Sequence, residues 1–283
     1  MGVSNLNSIK RRMKSINSIQ KVSKAMSMVA TSKFRKFKIR LEANKNYKIY
    51  IDDIMKDIVS SMDENNPYIT ERKKGRNIYL IVTSNLGLCG SYNTNVFNEA
   101  MKNVDQEEEK PIFIVVGEKG RAFLNRRDIE VEIKYLEVKD EIQHEEVKEI
   151  SKTLMDMYQV EEIKNIYVIY TEFISSGKQE VKTEKLFPIE MMNNEANERY
   201  LEFEFCSDEI FEEALELYVN EELIYMLLTS KTSEQTFRMT TMNGATKNAK
   251  DILDKLRKEY NRIRQSAITE ELSEIIGGAE VQR

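Results

Sequence analysis

Apolar positions recur along the first sixty residues at a mean step of 3.5. Counted as Ile9, Met13, Ile16, Ile19, Val22, Met26, Val29, Phe34, Phe37, Leu41, Asn44, Tyr47, Ile51, Ile54 and Ile58, fourteen steps span 49 residues, and Asn44 is the one polar interruption. This is the period of supercoiled helices, not the 3.6 of a straight helix lying on a globular core. No glycine or proline falls between Val3 and Asn66 or between Ile189 and Asn243. These are the strongest helix punctuators, so both ends specify long helices. The first would be on the order of 80 Å long, too long for one small domain to cover, and requires a partner of equal length.

A second row, Met242, Ala245, Ala249, Ile252, Leu256, Tyr260, Ile263 and Ala267, supplies that partner; Phe211, Ala214, Tyr218, Leu228 and Phe237 continue it less regularly upstream. The alanines permit close approach. Two helices joined through an insertion at one end must return antiparallel; pattern alone also leaves open a homodimeric coiled coil. Gly244 lies inside the second helix, at a cost of about 1 kcal/mol relative to Ala.

The middle changes period. Asn77–Ser84, Pro111–Val116 and Ile166–Thr171 are short continuous apolar runs, as expected of strands buried on both faces. Ile129–Leu136, Val181–Phe187 and Tyr200–Phe205 alternate, as edge strands do. Helical patterns cover about 93–104, 119–125 and 140–157. The expected fold is therefore an open, Rossmann-like α/β domain inserted between two long terminal helices that pair as an antiparallel coiled coil. The divisions are 1–66, 67–206 and 207–283.

Charge sharpens this picture. Residues 1–48 carry thirteen Lys or Arg and one acid, Glu42, a net +12; the remaining residues carry a net −17. The basic end calls for an acidic counterpart: an acidic protein surface, nucleic acid, anionic lipid or the chain's own remainder. A DNA-binding reading would resemble a basic zipper region, but here the bases share a helix with the apolar seam instead of preceding it. No apolar run approaches the roughly 20 residues that span a bilayer, so any membrane role is peripheral. Cys89 and Cys206 have no C-x-x-C partner, and with His144 the only histidine they cannot assemble a zinc site. Reduced thiols are the expectation.

Two glycine turns invite comparison with phosphate loops. Ser84–Gly90 (SNLGLCG) follows the first strand and Gly117–Gly120 (GEKG) the second. Neither has the G-K-[ST] ending or the G-x-G-x-x-G spacing, so both read as tight strand-to-helix turns. His144 sits in an acidic, solvated stretch. No acid, base or nucleophile cluster stands at the strand ends, and neither a catalytic residue nor a cofactor is expected.

The ends carry a resemblance. Ile9-Lys10-Arg11-Arg12-Met13-Lys14-Ser15-Ile16 and Gln20–Lys33 (QKVSKAMSMVATSK) resemble the N-terminal helix of the gamma subunit of F-type ATP synthases. Ser233-Glu234-Gln235, Arg238-Met239, Met242, Ala245-Thr246, Asn248-Ala249, Tyr260–Gln265 and Ile268–Leu272 resemble its C-terminal helix, and Gly87-Leu88-Cys89-Gly90 with Tyr92-Asn93 its turn after the first strand. The chain departs from the family pattern at Asn85 and Leu86, where an Asp and a basic or polar residue are usual, and at Phe237 and Gly244. The resemblance implies a non-catalytic rotor shaft, one copy per complex, at the cytoplasmic face of the cell membrane. Three alpha and three beta subunits would surround its coiled coil, and the epsilon subunit and the ring of c subunits would meet its α/β domain; nucleic acid is not a partner. Motif position and charge then nominate Lys10, Arg11, Lys21, Lys24, Met26, Arg238, Arg262 and Gln265 as contacts with the sleeve. Exposed ion pairs are worth only about 0–1 kcal/mol each, which suits a sliding surface.

Overall fold

A computed structural model describes residues 2–61, 66–105, 107, 109–135, 142, 144–160, 162–189 and 208–281, with the side chains of 2–5, 208, 271, 274, 275 and 277–281 left aside. Helix α1 (Gly2–Ser61) and helix α5 (Asp208–Val281) bracket β1 (Arg76–Val82), α2 (Tyr92–Val104), β2 (Ile112–Val116), α3 (Glu118–Asn125), β3 (Ile133–Tyr135), α4 (His144–Tyr158), β4 (Ile163–Ser175) and β5 (Lys178–Phe187). The chain divides into two compact units, one of residues 1–31 with 238–283 and one of residues 32–237.

In the larger unit a five-stranded sheet runs β3-β2-β1-β4-β5. The first four strands are parallel, and β5 returns antiparallel as a hairpin with β4. Side chains alternate across it, as the pleat requires. Ile78, Leu80, Val82, Ile114, Ile166 and Val168 join the core beneath α1, α4 and α5. Tyr79, Ile81, Phe113, Val115 and Ile169 face the other core, with Val96 and Ala100 of α2 and Leu124 of α3. Tyr79 lies level with Phe113 and Tyr167 on its two neighbours and stacks on both rings, 6.2 and 5.4 Å between centroids.

The expected elements that fall on described residues form, with shifted limits. The alternation over 129–136 predicts a strand; among its described residues the strand covers Ile133–Tyr135, with Glu132 N already donating to Phe113 O at 2.9 Å, and the turn at Asp128 (φ 54°) precedes it. β4 is longer than its apolar run because the β5 hairpin carries it to Ser175. The expected strand 200–205 lies outside the described residues.

Along α1 the seam has the expected period and keeps the expected positions Ile9, Met13, Ile16, Phe34, Phe37, Leu41, Asn44, Ile51 and Ile58, but it moves by one residue at 19–29, at 47 and at 54. Ile19, Val22 and Val29 are 50, 60 and 50% exposed, while Ser23, Ser27 and Ala30 are buried. Tyr47 and Ile54 are likewise exposed, and Lys48 and Met55 turn inward. The seam that packs is Ile9, Met13, Ile16, Gln20, Ser23, Ser27, Ala30, Phe34, Phe37, Leu41, Asn44, Lys48, Ile51, Met55 and Ile58, alternating steps of four and three. Two rows of the same period lie side by side on this helix. Close pairing seats the smaller Ser23, Ser27 and Ala30, which leaves the bulkier Ile19, Val22 and Val29 outside.

Candidate functional site

In a doubly wound sheet of this strand order the ligand crevice opens where the order reverses, between β1 and β4 at their carboxyl ends. Here α5 fills it. β4 extends past the end of β1, and its unpaired backbone N–H groups find α5 instead of a strand. Thr171 N donates to Ser230 Oγ at 3.2 Å, and Phe173 N to Thr229 Oγ1 at 2.8 Å. The Phe237 ring lies 6.0 Å from that of Tyr92, the first residue of α2. From Thr229 to Thr236 eight consecutive polar residues are buried, Lys231 and Glu234 pairing with each other at 3.5 Å. A helix buried on every face ordinarily reads as apolar all round; here Thr229 and Ser230 take up strand-end N–H groups, and Thr232 and Thr236 donate to carbonyls of their own helix.

The turn Ser84–Gly90 is tied to the first turn of α2 through Asn93. Ser84 N donates to Asn93 Oδ1, and Asn93 Nδ2 donates to Ser84 Oγ and to the buried Cys89 Sγ. Leu88 (φ 64°) and Gly90 (φ 57°) make the left-handed bends, and the Leu86 and Leu88 side chains stand exposed. At the second turn the first N–H groups of α3 are already spent, Glu118 N on Asn85 Oδ1 and Lys119 N on Ser84 O. An anion would need those groups. A Cβ at Gly117 (φ 99°) would run into the Thr83 carbonyl, and one at Gly120 into Val115, so the second turn needs glycine at both places. Thr83 Oγ1 completes the joint, receiving Gly120 N at 2.9 Å and donating to Val116 O. Among the described residues no group of His, Cys, Asp or Glu could hold a metal ion, and no helix is long and apolar enough to cross a membrane.

Of the nominated contact residues, Lys10, Arg11, Lys21 and Lys24 are exposed on α1 and Met26 is half-buried. Arg262 and Gln265 are exposed on α5, where they line a groove of about 600 Å³ with Ser266, Thr269, Glu270 and Ser273. Arg238 differs from the others: it is 5% exposed.

The two long helices meet within each unit. In the smaller unit Ser27 Oγ donates to Asn243 Oδ1 at 2.6 Å. In the larger, Asn44 donates to Glu221, and Lys48 pairs with Glu222 and with Asp52, the latter at 2.9 Å. Burial holds the Glu222 carboxyl up at about 7, outweighing the pull of Lys48. Lys48 lies closer to solvent; burial opposes its charge, but Glu222 and Asp52 together raise its pKa. These groups line a cavity of about 740 Å³ together with Tyr218, Glu184 and Lys185. Sequence reasoning found Asn44 but passed over Lys48, Glu221 and Glu222. The signal was there: Lys48 completes the four-three alternation that Tyr47 breaks.

A family model described as ATP synthase matches residues 5–281. The chain is 40% identical over 280 residues to an ATP synthase gamma chain of Clostridium kluyveri, covering 99% of each, and 41% identical over 284 residues to one of Clostridium novyi, covering all of both. Among solved structures it is similar to a chain of the rotor of Euglena gracilis mitochondrial ATP synthase (TM-score 0.71, 14% identity, 94% of this chain and 99% of that one). It is also similar to one from the central stalk and c-ring of the Tetrahymena thermophila mitochondrial enzyme (TM-score 0.59, 24% identity, 79% and 99%).

Proposed function

The chain belongs to the ATP synthase gamma-chain family, and we propose that it is the central shaft of an F-type enzyme, coupling ion flow through a ring of c subunits to conformational cycling of the catalytic beta subunits. The observation that carries this reading is the filled crevice: the place where an α/β sheet of this order would take a nucleotide holds the chain's own helix. The sheet is thereby bonded to residues 229 and 230 of α5, and the chemistry is left to beta. Segments 1–66 and 207–283 supply the shaft, and 67–206 the foot that meets epsilon and the c-ring. Three alpha and three beta subunits enclose the shaft of a single copy, held peripherally at the cytoplasmic face of the cell membrane, with no cofactor of its own.

Lys10, Arg11, Lys21, Lys24, Met26, Arg262 and Gln265 are the proposed contacts with the sleeve. Arg238, being buried, would act there through its neighbours. Long cationic side chains offer acidic loops exchangeable contacts without deep wells. The reading is tested by co-expression with alpha and beta subunits of the same enzyme. A complex that keeps this chain, and loses it when either 1–31 or 250–283 is removed, supports it. A chain that elutes alone, or that binds a nucleotide through its isolated α/β domain, refutes it.

A further inference from the structure

Three consecutive residues of α5 hold three polar partners on two other helices. Ser151 of α4 donates to Asn220 Oδ1 at 2.6 Å. Asn44 of α1 donates to Glu221, and Lys48, one turn further along α1, pairs with Glu222. Successive residues of a helix point about 100° apart, so these ties grip α5 from different sides. Ser151, Glu221 and Glu222 are all buried.

Asn44 and Lys48 interrupt a stretch of seam that otherwise reads Phe34, Phe37, Leu41, Ile51, Met55 and Ile58. Apolar heptads repeat, so a slip of seven residues still offers each knob a hole of similar kind. A polar residue at one seam position fixes the register, at a cost in stability. That cost is visible here: Asn44 Oδ1 is buried and has no hydrogen-bond partner among the described residues. Two buried carboxylates set against a helix seam are a similar expense, since well-packed apolar residues commonly serve stability as well or better.

We infer that Asn44, Lys48, Ser151 and Asn220–Glu222 form a register clamp that fixes α5 lengthwise against α1 and in rotation against α4. A slipped α5 would strand Glu221 and Glu222 as buried carboxylates facing apolar side chains. The clamp keeps foot and shaft turning together; that consequence rests on the rotor reading, but the register claim does not.

The test uses the full chain carrying Asn44→Leu, Lys48→Met, Glu221→Leu and Glu222→Leu together, in a Cys89→Ser, Cys206→Ser background. Register is read by disulfide formation between Ser27→Cys and Asn243→Cys for the native alignment, and between Ser27→Cys and Thr236→Cys or Lys250→Cys for alignments one heptad off. The expected result is an unfolding midpoint no lower than the parent's and off-register cross-linking raised about tenfold, equivalent to about 1.4 kcal/mol of lost discrimination. The charge swap Lys48→Glu with Glu222→Lys is expected to keep the single native register. In the reconstituted enzyme the quadruple variant is expected to move fewer ions per ATP. A quadruple variant that cross-links only in the native alignment overturns the clamp, because the remaining contacts of α5 then suffice to fix the register. So does one whose midpoint collapses, because the polar residues then serve stability. If the parent chain itself couples no ion movement to ATP, the rotor reading falls while the cross-linking result still decides the clamp.

Discussion

Ser27 and Asn243 meet across the helix pair, hydroxyl to amide oxygen, 2.6 Å apart. Ser23 and Ala30, within a turn on either side of Ser27, are buried with it, and the larger Ile19, Val22 and Val29 point away. The phase of this pairing is therefore set by size. Small residues let the backbones approach, and the neighbouring row of aliphatics is left for another surface.

This gives an ordering of stabilities. Ala30 is fully buried, so Ala30→Leu overpacks the seam and is expected to cost about 1–3 kcal/mol. Ile19→Ala, on the outward row, is expected to change stability by no more than about 0.5 kcal/mol. Urea denaturation of the two variants checks the phase; the opposite ordering would put the seam on the row of Ile19, Val22 and Val29.

The contacts of α5 with the end of β4 have a comparable signature. Thr229→Val keeps the shape of the side chain and removes the acceptor for Phe173 N, leaving a buried N–H unpaired at an expected cost of about 1–3 kcal/mol. Thr229→Ser should restore most of it. Amide exchange at Phe173 should quicken in the valine variant only.

The two long helices, the order of strands and helices between them, and both tight turns were legible in the sequence, because each rests on local signals: absence of Gly and Pro, apolar runs, glycine placement. The seam of α1 was legible except between Ile19 and Val29 and at Tyr47 and Ile54, where a second row fits the same 3.5 period and only the approach of α5 chooses between them. The burial of the polar run 229–236 was equally hidden, since two of the groups it meets, Thr171 N and Phe173 N, lie some sixty residues upstream. Arg238 reads as one more surface cation beside Lys21 and Lys24, and only tertiary structure buries it. The clamp residues Glu221 and Glu222 look like solvated acids until Asn44 and Lys48 are set opposite.

Glu222 makes stability depend on pH in a direction opposite to the usual carboxylate. Its folded pKa is raised from 4.5 to about 7, so the folded chain binds its proton more tightly than the unfolded chain does. The favourable contribution is complete below 4.5 and is lost as pH rises from there to about 7, an effect of at most about 3 kcal/mol. Glu222→Gln should flatten the stability profile across that window. A wild-type profile that rises through the same window and is unchanged in Glu222→Gln would contradict this assignment.

The nominated sleeve contacts separate coupling from folding. Lys21, Lys24, Arg262 and Gln265 are exposed, so replacing all four by Ala should change stability by no more than about 1 kcal/mol in total. Coupled ATP synthesis by the reconstituted enzyme should nevertheless fall. Synthesis at the parent rate would remove these residues from the coupling surface.

The most direct measurement is rotation itself. Alpha and beta subunits of the same enzyme, assembled with this chain, would be fixed to a surface through beta, and a bead attached to the α/β domain at Leu88→Cys, an exposed turn position. On addition of ATP the bead is expected to turn in one direction, with one copy of the chain in each complex. A bead that stays still while the complex hydrolyses ATP, or a complex that hydrolyses ATP and turns over normally without this chain, would contradict the role proposed for it.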